Sequence, residues 1–252
     1  MKSISRRKLI TGGIAAAAGV SGLAVADRLA RRYGLIPPDC RGIYGPGETL
    51  TYAAQRLLTK HSLAREFPRS QISKMPFANQ TPPPNDAFKL HQASGFSDWR
   101  LSVDGMVAHP TSFSLSDLKS FPVRSQITEV ACEEGWSYIA EWIGTPLVDV
   151  LNEAGILPQA RYVAYFSIDS DWWESIDMAD ALHPQTFLTW GMNDADLPVG
   201  FGGPLRMRVP RQLGYKNVKY ITRLTATDSL KSFGKGLGSA APEAGYAWYA
   251  GI

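Results

Sequence analysis

Apolar and polar residues alternate in short runs over most of the chain beyond residue 87, and the runs end at Gly, Pro, Asp or Asn. The clearest run is Trp99–Val103, and Asp104-Gly105 after it predicts a hairpin turn into a strand at Met106–Val107. A β-rich chain is therefore expected. The same pattern predicts further strands at Gln126–Ala131, Tyr162–Ile168, Phe187–Trp190, Leu205–Val209 and Tyr220–Ala226.

Helix signals are fewer, and they do not alternate regularly with the strands. Ser114 followed by Asp117 is a capping-box pattern for a short helix. Thr145 as N-cap and Pro146 at the first helical position predict another helix, which Gly155 closes. This arrangement favours an α+β, β-rich mixed fold over a Rossmann-type domain, which needs strands and helices in strict alternation.

The first 26 residues have the features of an export signal. Arg6-Arg7 precedes a run that is mostly Gly and Ala, and Ala24–Ala26 has the small-residue spacing of a cleavage site. Paired arginines before an apolar run are typical of the twin-arginine route, which carries folded proteins to the periplasm. We predict a twin-arginine signal at residues 1–26, with a residual membrane anchor as the alternative.

The remaining chain divides into two parts. Residues 27–86 are predicted to form an N-terminal extension, with a short helix at Thr49–Leu58 and a proline-rich linker at Thr81–Asn85. Residues 87–252 are predicted to form one compact domain, because the regular alternation and most of the turn signals lie there.

The charge distribution argues against a nucleic-acid partner. The chain has 26 basic and 23 acidic residues, a formal net charge of +3. Residues 1–32 contain seven of those bases and one of those acids, so residues 33–252 carry a net charge of −3. A mildly acidic domain lacks the broad basic surface that nucleic-acid binding requires.

Several familiar motifs are absent from the sequence, namely G-x-S-x-G, the Walker loop, H-E-x-x-H and the haem-attachment motif C-x-x-C-H. Asp169, Asp171 and Glu174 lie around Trp172-Trp173. They are compatible with a glycosidase acid pair, although a solvated loop with aromatic anchors gives the same pattern.

Cys132 follows a predicted strand, in a position where functional loops often begin. An isolated cysteine is commonly a buried, unreactive thiol. A nucleophile and a thiolate ligand to a redox metal are the other interpretations.

A basic segment follows later in the chain. In the predicted strand Leu205–Val209, Arg206 and Arg208 point to the face opposite the apolar residues. With Lys216 and Lys219, they place four cations within 14 residues, a composition that suits a phosphate-bearing ligand. A solvated strand face is the alternative.

Three blocks, in this order and spacing, together resemble the molybdopterin-binding domain of the sulfite oxidase family over roughly residues 88–252. The blocks are Cys132–Trp136 with Trp142–Leu147, Ala181–Pro184 with Asn193–Pro198, and Gly202–Pro210 with Gly214–Lys219. The acidic residue and Trp136 after the cysteine are most similar to the branch of bacterial periplasmic methionine-sulfoxide reductases.

The resemblance implies a role for each matching residue. Cys132 would be the thiolate ligand of a molybdenum held by one molybdopterin, and Glu134 would be the acidic catalytic residue beside it. The residues implied to hold the pterin and its phosphate are His91, Gln92, Ser167, Arg206, Lys216, Asn217, Val218 and Lys219.

The chain departs from the sulfite oxidases after the cysteine, where those enzymes carry arginines and this chain has Glu133-Glu134-Gly135-Trp136. Carboxylates there would repel a doubly charged oxyanion. The resemblance therefore implies reduction of a neutral S-oxide or N-oxide, such as methionine sulfoxide, by oxygen-atom transfer. Oxidation of a small sulfur anion and a non-catalytic cofactor-binding or assembly role are the alternatives.

Haem and iron–sulfur motifs are missing from the sequence, so an external electron-transfer partner is implied. The resemblance suggests a membrane haem subunit, with a soluble cytochrome as the alternative. Cys40 has no assigned role.

Overall fold

In the computed structural model, the described residues are 34–40, 45–79, 85–169 and 172–252, together with positions 25, 28 and 30. The export signal at residues 1–26, residues 81–84 of the proline-rich linker and Asp171 lie outside the described residues, apart from position 25. Among the described residues, no helix combines the length and the apolar character needed to cross a membrane.

Among the described residues, two five-stranded sheets form the body of the protein. The strands are β1 (Arg100–Gly105), β2 (Thr111–Ser114), β3 (Arg124–Ala131), β4 (Ser137–Pro146), β5 (Tyr162–Ser167), β6 (Trp173–Asp177), β7 (Phe187–Met192), β8 (Ala195–Asp196), β9 (Arg206–Arg208) and β10 (Ile221–Thr227). The first sheet has the order β2-β1-β10-β5-β6; in the second, β3-β4-β7-β8 are neighbours and β9 also pairs with β7. Only the β1–β10 pairing is parallel among the described strands.

Helices in the described residues lie before, between and after the strands. They are α1 (Gly45–Leu58), α2 (Asp86–Ala93), α3 (Leu115–Ser120), α4 (Leu147–Glu153), α5 (Met178–Ala181) and α6 (Ala240–Glu243). Single 3₁₀ turns occur at Arg69–Gln71, Val199–Phe201 and Gly214–Lys216. The largest apolar core takes residues from both sheets, such as Val163 and Met207, and from α4, such as Leu151. The predicted α+β, β-rich fold is confirmed.

The capping box is present as predicted. The Ser114 side chain accepts a hydrogen bond from the Asp117 backbone N–H, and the Asp117 carboxylate accepts one from the Ser114 N–H, at the start of α3. This reciprocal pairing satisfies two backbone donors that a helix end otherwise leaves open. The helix predicted at Thr49–Leu58 is also present, although α1 begins earlier, at Gly45.

Two local predictions were wrong. The strand expected at Met106–Val107 is absent, because β1 pairs instead with β2, and Val107 forms only an isolated bridge with Ile156. Thr145 does not cap α4, because pairing with β7 keeps the chain extended through Pro146. Its hydroxyl donates to the carbonyl of Leu118 at 2.6 Å instead.

The segment predicted as an extension packs closely on the domain. The Arg56 guanidinium of α1 donates to the buried carboxylates of Asp177 at 2.9 Å and Asp180 at 2.6 Å. Further along, the backbone N–H of Phe67 and Ser73 donate to the carbonyls of Ile127 in β3 and Ile139 in β4, both at 2.9 Å. The chain before α2 is thereby fixed to the strands that lead into the candidate site.

Candidate functional site

A cavity of about 370 Å³ opens beside the end of β3. Its lining includes four separate segments, among others: the turn at Cys132–Trp136, the end of β5 at Ser167, the segment Gly214–Tyr220 and the segment Phe77–Asn79. Three of these come from distant positions in the compact domain, and the fourth comes from the predicted extension. The fold therefore assembles the cavity from segments that the sequence keeps apart.

The turn after β3 holds Cys132 at the cavity wall. The Cys132 backbone N–H donates to the carbonyl of Trp136 at 2.9 Å, and Gly135 takes a φ of +91°, which glycine adopts without steric cost. The thiol donates to the Glu133 carboxylate at 3.2 Å. Burial, together with the carboxylates of Glu133 and Glu134, raises the pKa of the Cys132 thiol to about 12.

Gly214 brings the opposite wall close to the cysteine. A Cβ on Gly214 would lie 3.4 Å from the Cys132 Cα and 3.3 Å from the carbonyl oxygen of Ala131. A side chain here would project from one wall towards the backbone of the other, so the glycine keeps the two walls in close contact.

Glu134 is held in place by two donors. Its Oε2 accepts a hydrogen bond from the Trp136 indole N–H at 2.8 Å and another from the Asn79 amide at 3.3 Å, and it lies 3.8 Å from the Cys132 Sγ. The carboxylate is thus oriented beside the thiol by groups from two different segments.

Aromatic rings form the wall next to this carboxylate. Trp136 contacts Phe77 with the ring centres 5.1 Å apart and stacks on Tyr138 at 6.0 Å, and Tyr138 meets the edge of Phe201 at 5.7 Å. These rings offer an apolar surface with few charges.

The other side of the cavity is cationic. Arg206 is buried, and its guanidinium donates to the carbonyls of Asn217 at 3.0 Å and Phe201 at 2.9 Å. The Lys219 ammonium donates to the carbonyl of Gly200 at 2.6 Å and to that of Asn79. Burial and the nearby Arg206 charge lower the pKa of Lys219 to about 7.

Gly202 makes room for these two side chains. It has a φ of +105°, and a Cβ there would lie 2.8 Å from Lys219 Cγ and 3.1 Å from Arg206 Cδ. The alternative of a solvated strand face is excluded, because Arg208 on the same face is also fully buried.

Lys216 does not contribute its charge to this cavity. Its ammonium donates to the Glu174 carboxylate at 2.7 Å, and both side chains are fully buried. Glu174 is therefore engaged in an ion pair within the core and does not act with Asp169 as an exposed acid pair. Desolvation lowers the pKa of Lys216, and the attraction of the Glu174 carboxylate offsets only part of that effect.

His91 and Gln92 lie outside the residues that line the cavity. Both belong to α2, where the His91 Nδ1 lies 2.9 Å from the Asp98 carboxylate and Gln92 is exposed. Ser167, Asn217 and Val218 do line it, and the Ser167 hydroxyl accepts from the Asp169 backbone N–H at 3.0 Å.

Sequence reasoning missed several residues that line the cavity. Phe77 and Asn79 belong to the predicted extension, and Tyr246 lies outside the three blocks. Tyr215 lies within the third block but was given no role. Glu66, which lies shortly before Phe77 in the chain, forms an isolated bridge with Thr128 in β3. This bridge shows how the extension reaches the site. No sequence signal predicts that pairing. Among the described residues, no group of three or more His, Cys, Asp or Glu side chains forms a metal cluster.

Comparison with known proteins identifies the family. The model of the oxidoreductase molybdopterin-binding domain matches residues 88–232, more than half of the chain. A candidate protein-methionine-sulfoxide reductase subunit, YedZ1, of Azospira oryzae is 37% identical over 195 residues, which are 77% of this chain and 70% of that protein.

Two further relatives are more distant. The protein-methionine-sulfoxide reductase catalytic subunit MsrP of Ralstonia nicotianae is 33% identical over 145 residues, 52% of this chain and 44% of that protein. The sulfane dehydrogenase SoxCD of Paracoccus pantotrophus superposes with a TM-score of 0.51 at 22% identity, over 68% of this chain and 46% of that one, and shows the shared fold. The family model, the relative from Azospira oryzae and the shared fold agree. The chain belongs to the sulfite oxidase family of molybdenum-dependent oxidoreductases, which bind molybdopterin.

Proposed function

We propose that this chain is an oxygen-atom-transfer reductase that acts on a neutral S-oxide or N-oxide, with methionine sulfoxide as the first candidate. Cys132 is the thiolate ligand of the molybdenum, and one molybdopterin occupies the cavity beside it. The observation that carries the proposal is the opposite character of the two cavity walls, with thiol, carboxylates and aromatic rings on one side and Arg206 and Lys219 on the other.

The residues of the cavity fit such a cofactor. In the described part of the chain, no carboxylate pairs with the buried Arg206 guanidinium, which leaves its positive charge for an anionic ligand. The Cys132 thiol has a raised pKa and becomes a ligand only beside a strong positive charge, as a metal ion supplies. We expect the phosphate of the cofactor to lie at Arg206, Asn217, Val218 and Lys219, with Ser167 nearby. When bound, a molybdenum centre supplies two-electron oxygen-atom transfer.

His91, Gln92 and the Lys216 side chain are not included in this proposed ligand set. The first two do not line the cavity, and the Lys216 ammonium is bound to Glu174. The Lys216 backbone still belongs to the segment that lines the cavity between Tyr215 and Asn217.

The wall around Cys132 favours a neutral substrate. Glu133 and Glu134 place two carboxylates within 4 Å of the Sγ atom, where a doubly charged anion meets strong repulsion. An S-oxide or N-oxide carries no net charge and presents its apolar substituents to Trp136 and Tyr138. Reduction consumes two electrons and two protons and releases water, and the Glu134 carboxyl, 3.8 Å from the Cys132 Sγ, would take part in delivering those protons.

The two electrons come from an external partner. A membrane haem subunit is our first candidate, and a periplasmic location after twin-arginine export is consistent with it. Oxidation of a small sulfur anion, with electrons passing outward, is the competing function, and the SoxCD likeness in fold is compatible with it.

Metal analysis of the protein, produced in a host that makes molybdopterin, tests the cofactor. We expect near-stoichiometric molybdenum, lost in Cys132→Ser but kept in Cys40→Ser, which removes the other cysteine of the chain. Equal molybdenum in the two variants, or none in the unaltered protein, contradicts the proposal.

Paired assays test the substrate. Methionine sulfoxide and trimethylamine N-oxide are offered with a reduced viologen dye, and sulfite is offered with ferricyanide. We expect oxide reduction that falls strongly in Glu134→Gln, with no sulfite oxidation. Sulfite turnover without oxide reduction establishes the competing function instead.

A further inference from the structure

Arg208 is a fully buried arginine for which neither the cavity nor an ion pair accounts. It lies on β9, two residues after Arg206, and it does not line the cavity. In the described part of the chain, no carboxylate oxygen lies within 4 Å of its guanidinium. Buried arginines usually have a carboxylate partner, because desolvation of the charge is costly. The residue therefore needs another explanation.

The guanidinium binds two separate segments at once. It donates to the Asn217 side-chain oxygen at 2.8 Å, to the Thr128 hydroxyl at 3.0 Å and to the carbonyl of Glu129. Its Cζ lies 5.3 Å from the ring centre of the buried Trp142. The planar fork of donors suits this task, since a lysine ammonium has no comparable fixed geometry.

Each of these segments carries one wall of the site. Thr128 and Glu129 belong to the last part of β3, which leads directly to Cys132. Asn217 holds the other wall, because its carbonyl accepts from the Arg206 guanidinium at 3.0 Å. The Asn217 side-chain oxygen also accepts from the Val209 backbone N–H at 2.8 Å. Arg208 and the residue after it therefore both donate to the same amide oxygen.

We propose that Arg208 is a positioning residue that fixes the strand carrying Cys132 relative to the Asn217 segment and Arg206. This inference rests on the proposed function, in which the strand leading to Cys132 is the metal-ligand side of one cofactor site and the Asn217 segment is its phosphate side. Removal of the guanidinium frees both segments together, whereas loss of a buried arginine elsewhere does not.

Hydrogen exchange measured by mass spectrometry tests this link without reference to activity. In Arg208→Met, which keeps an unbranched apolar stem and removes the donors, we expect amides in residues 124–132 and 213–219 to exchange about tenfold faster or more. Thr128→Val removes one acceptor and leaves Arg208 in place. We expect it to accelerate exchange in residues 124–132 by a smaller factor.

Arg211→Met is the matched control. Arg211 is also buried, but its guanidinium lies 3.5 Å from the Asp180 carboxylate and donates to the carbonyls of Thr59 at 2.7 Å and Lys60 at 2.9 Å, away from the cavity. We expect this variant to leave exchange in residues 124–132 and 213–219 unchanged. The positioning role is refuted if Arg208→Met accelerates exchange in neither segment or in only one of them. It is also refuted if Arg208→Met accelerates exchange over the whole chain and Thr128→Val exchanges like the unaltered protein.

Cofactor content separates this inference from the proposed function. We expect Arg208→Met to lose molybdenum and pterin at least tenfold faster on dialysis than Arg211→Met does. Retention equal to that of Arg211→Met refutes the link between the two walls and the cofactor. If the unaltered protein holds no molybdenum, the proposed function fails, and the exchange experiment still decides whether Arg208 joins the two segments.

Discussion

Lys216 and Lys219 are three residues apart in one basic segment, yet the fold gives them opposite surroundings. The Lys216 ammonium is fully buried between the Glu174 carboxylate at 2.7 Å, the carbonyl of Ser175 at 3.1 Å and the Ser239 hydroxyl at 3.2 Å. The Glu174 carboxylate also accepts from the Ala241 backbone N–H at 2.9 Å, so the pair fastens the C-terminal segment to β6.

Lys219 lies instead at the cavity wall. Its ammonium contacts the carbonyls of Gly200 and Asn79, and the Arg206 charge nearby opposes its protonation. The difference teaches that a run of cations is not one functional unit. A buried lysine that meets a carboxylate holds the structure together, and one placed beside another cation is suited to an anionic ligand.

The largest expected effect comes from breaking the core pair. Lys216→Met leaves the Glu174 carboxylate buried without its partner, which we expect to lower the free energy of unfolding by about 3–5 kcal/mol. Urea unfolding measures this loss, and the double variant Lys216→Met, Glu174→Gln is expected to recover part of it. A single variant within about 1 kcal/mol of the unaltered protein contradicts the structural role.

Lys219→Met is expected to change the stability of the protein little and to weaken cofactor binding strongly. Stability of the cofactor-free protein changes by less than about 1 kcal/mol, because the substitution also removes repulsion from Arg206. Cofactor retention falls by about tenfold to a hundredfold, since a charge-assisted hydrogen bond to the phosphate is lost. Equilibrium dialysis with molybdenum and pterin analysis measures the retention. Unchanged retention in this variant removes Lys219 from the proposed site.

Gly202→Ala tests whether the cation wall depends on a close approach. The new Cβ would meet the side chains of both Lys219 and Arg206, at a positive φ that L residues avoid. We expect the free energy of unfolding to fall by about 1–2 kcal/mol, together with weaker cofactor retention. Gly245→Ala is a matched control, because Gly245 also has a positive φ, +98°, but no atom lies within 4 Å of its added Cβ. Equal retention in the two variants shows that crowding at Gly202 does not matter.

The last prediction concerns the pH dependence of stability. The folded pKa of Lys219 is lowered to about 7, below that of an unfolded lysine, so the unfolded state binds more protons between those two values. Lys219 therefore adds a stability increment to the cofactor-free protein as the pH rises from about 7 towards 10. Thermal unfolding of the unaltered protein and of Lys219→Met across this range isolates the increment. Parallel curves for the two proteins contradict the lowered pKa.

Local patterns predicted much of the fold. The alternation in Trp99–Val103 and the capping box at Ser114 and Asp117 depend on neighbouring residues, and both correspond to observed elements. Strand β4 was not predicted from the sequence. Its length comes from pairing with β3 and β7 and not from its own alternation. The same pairing overrode the helix start expected at Thr145.

The sequence by itself determined the family and placed Cys132, Glu134, Arg206 and Lys219 in recognisable blocks, because the order and spacing of those blocks are written in the chain. Only the tertiary structure decided what each charge faces. Glu174 lies 42 positions from Lys216, and Asn79 lies 140 positions from Lys219. Contacts over such separations depend on how the sheets and the extension pack together. For a buried charge, the partner it meets through space, and not its neighbours in the chain, determines whether it supports the fold or binds a ligand.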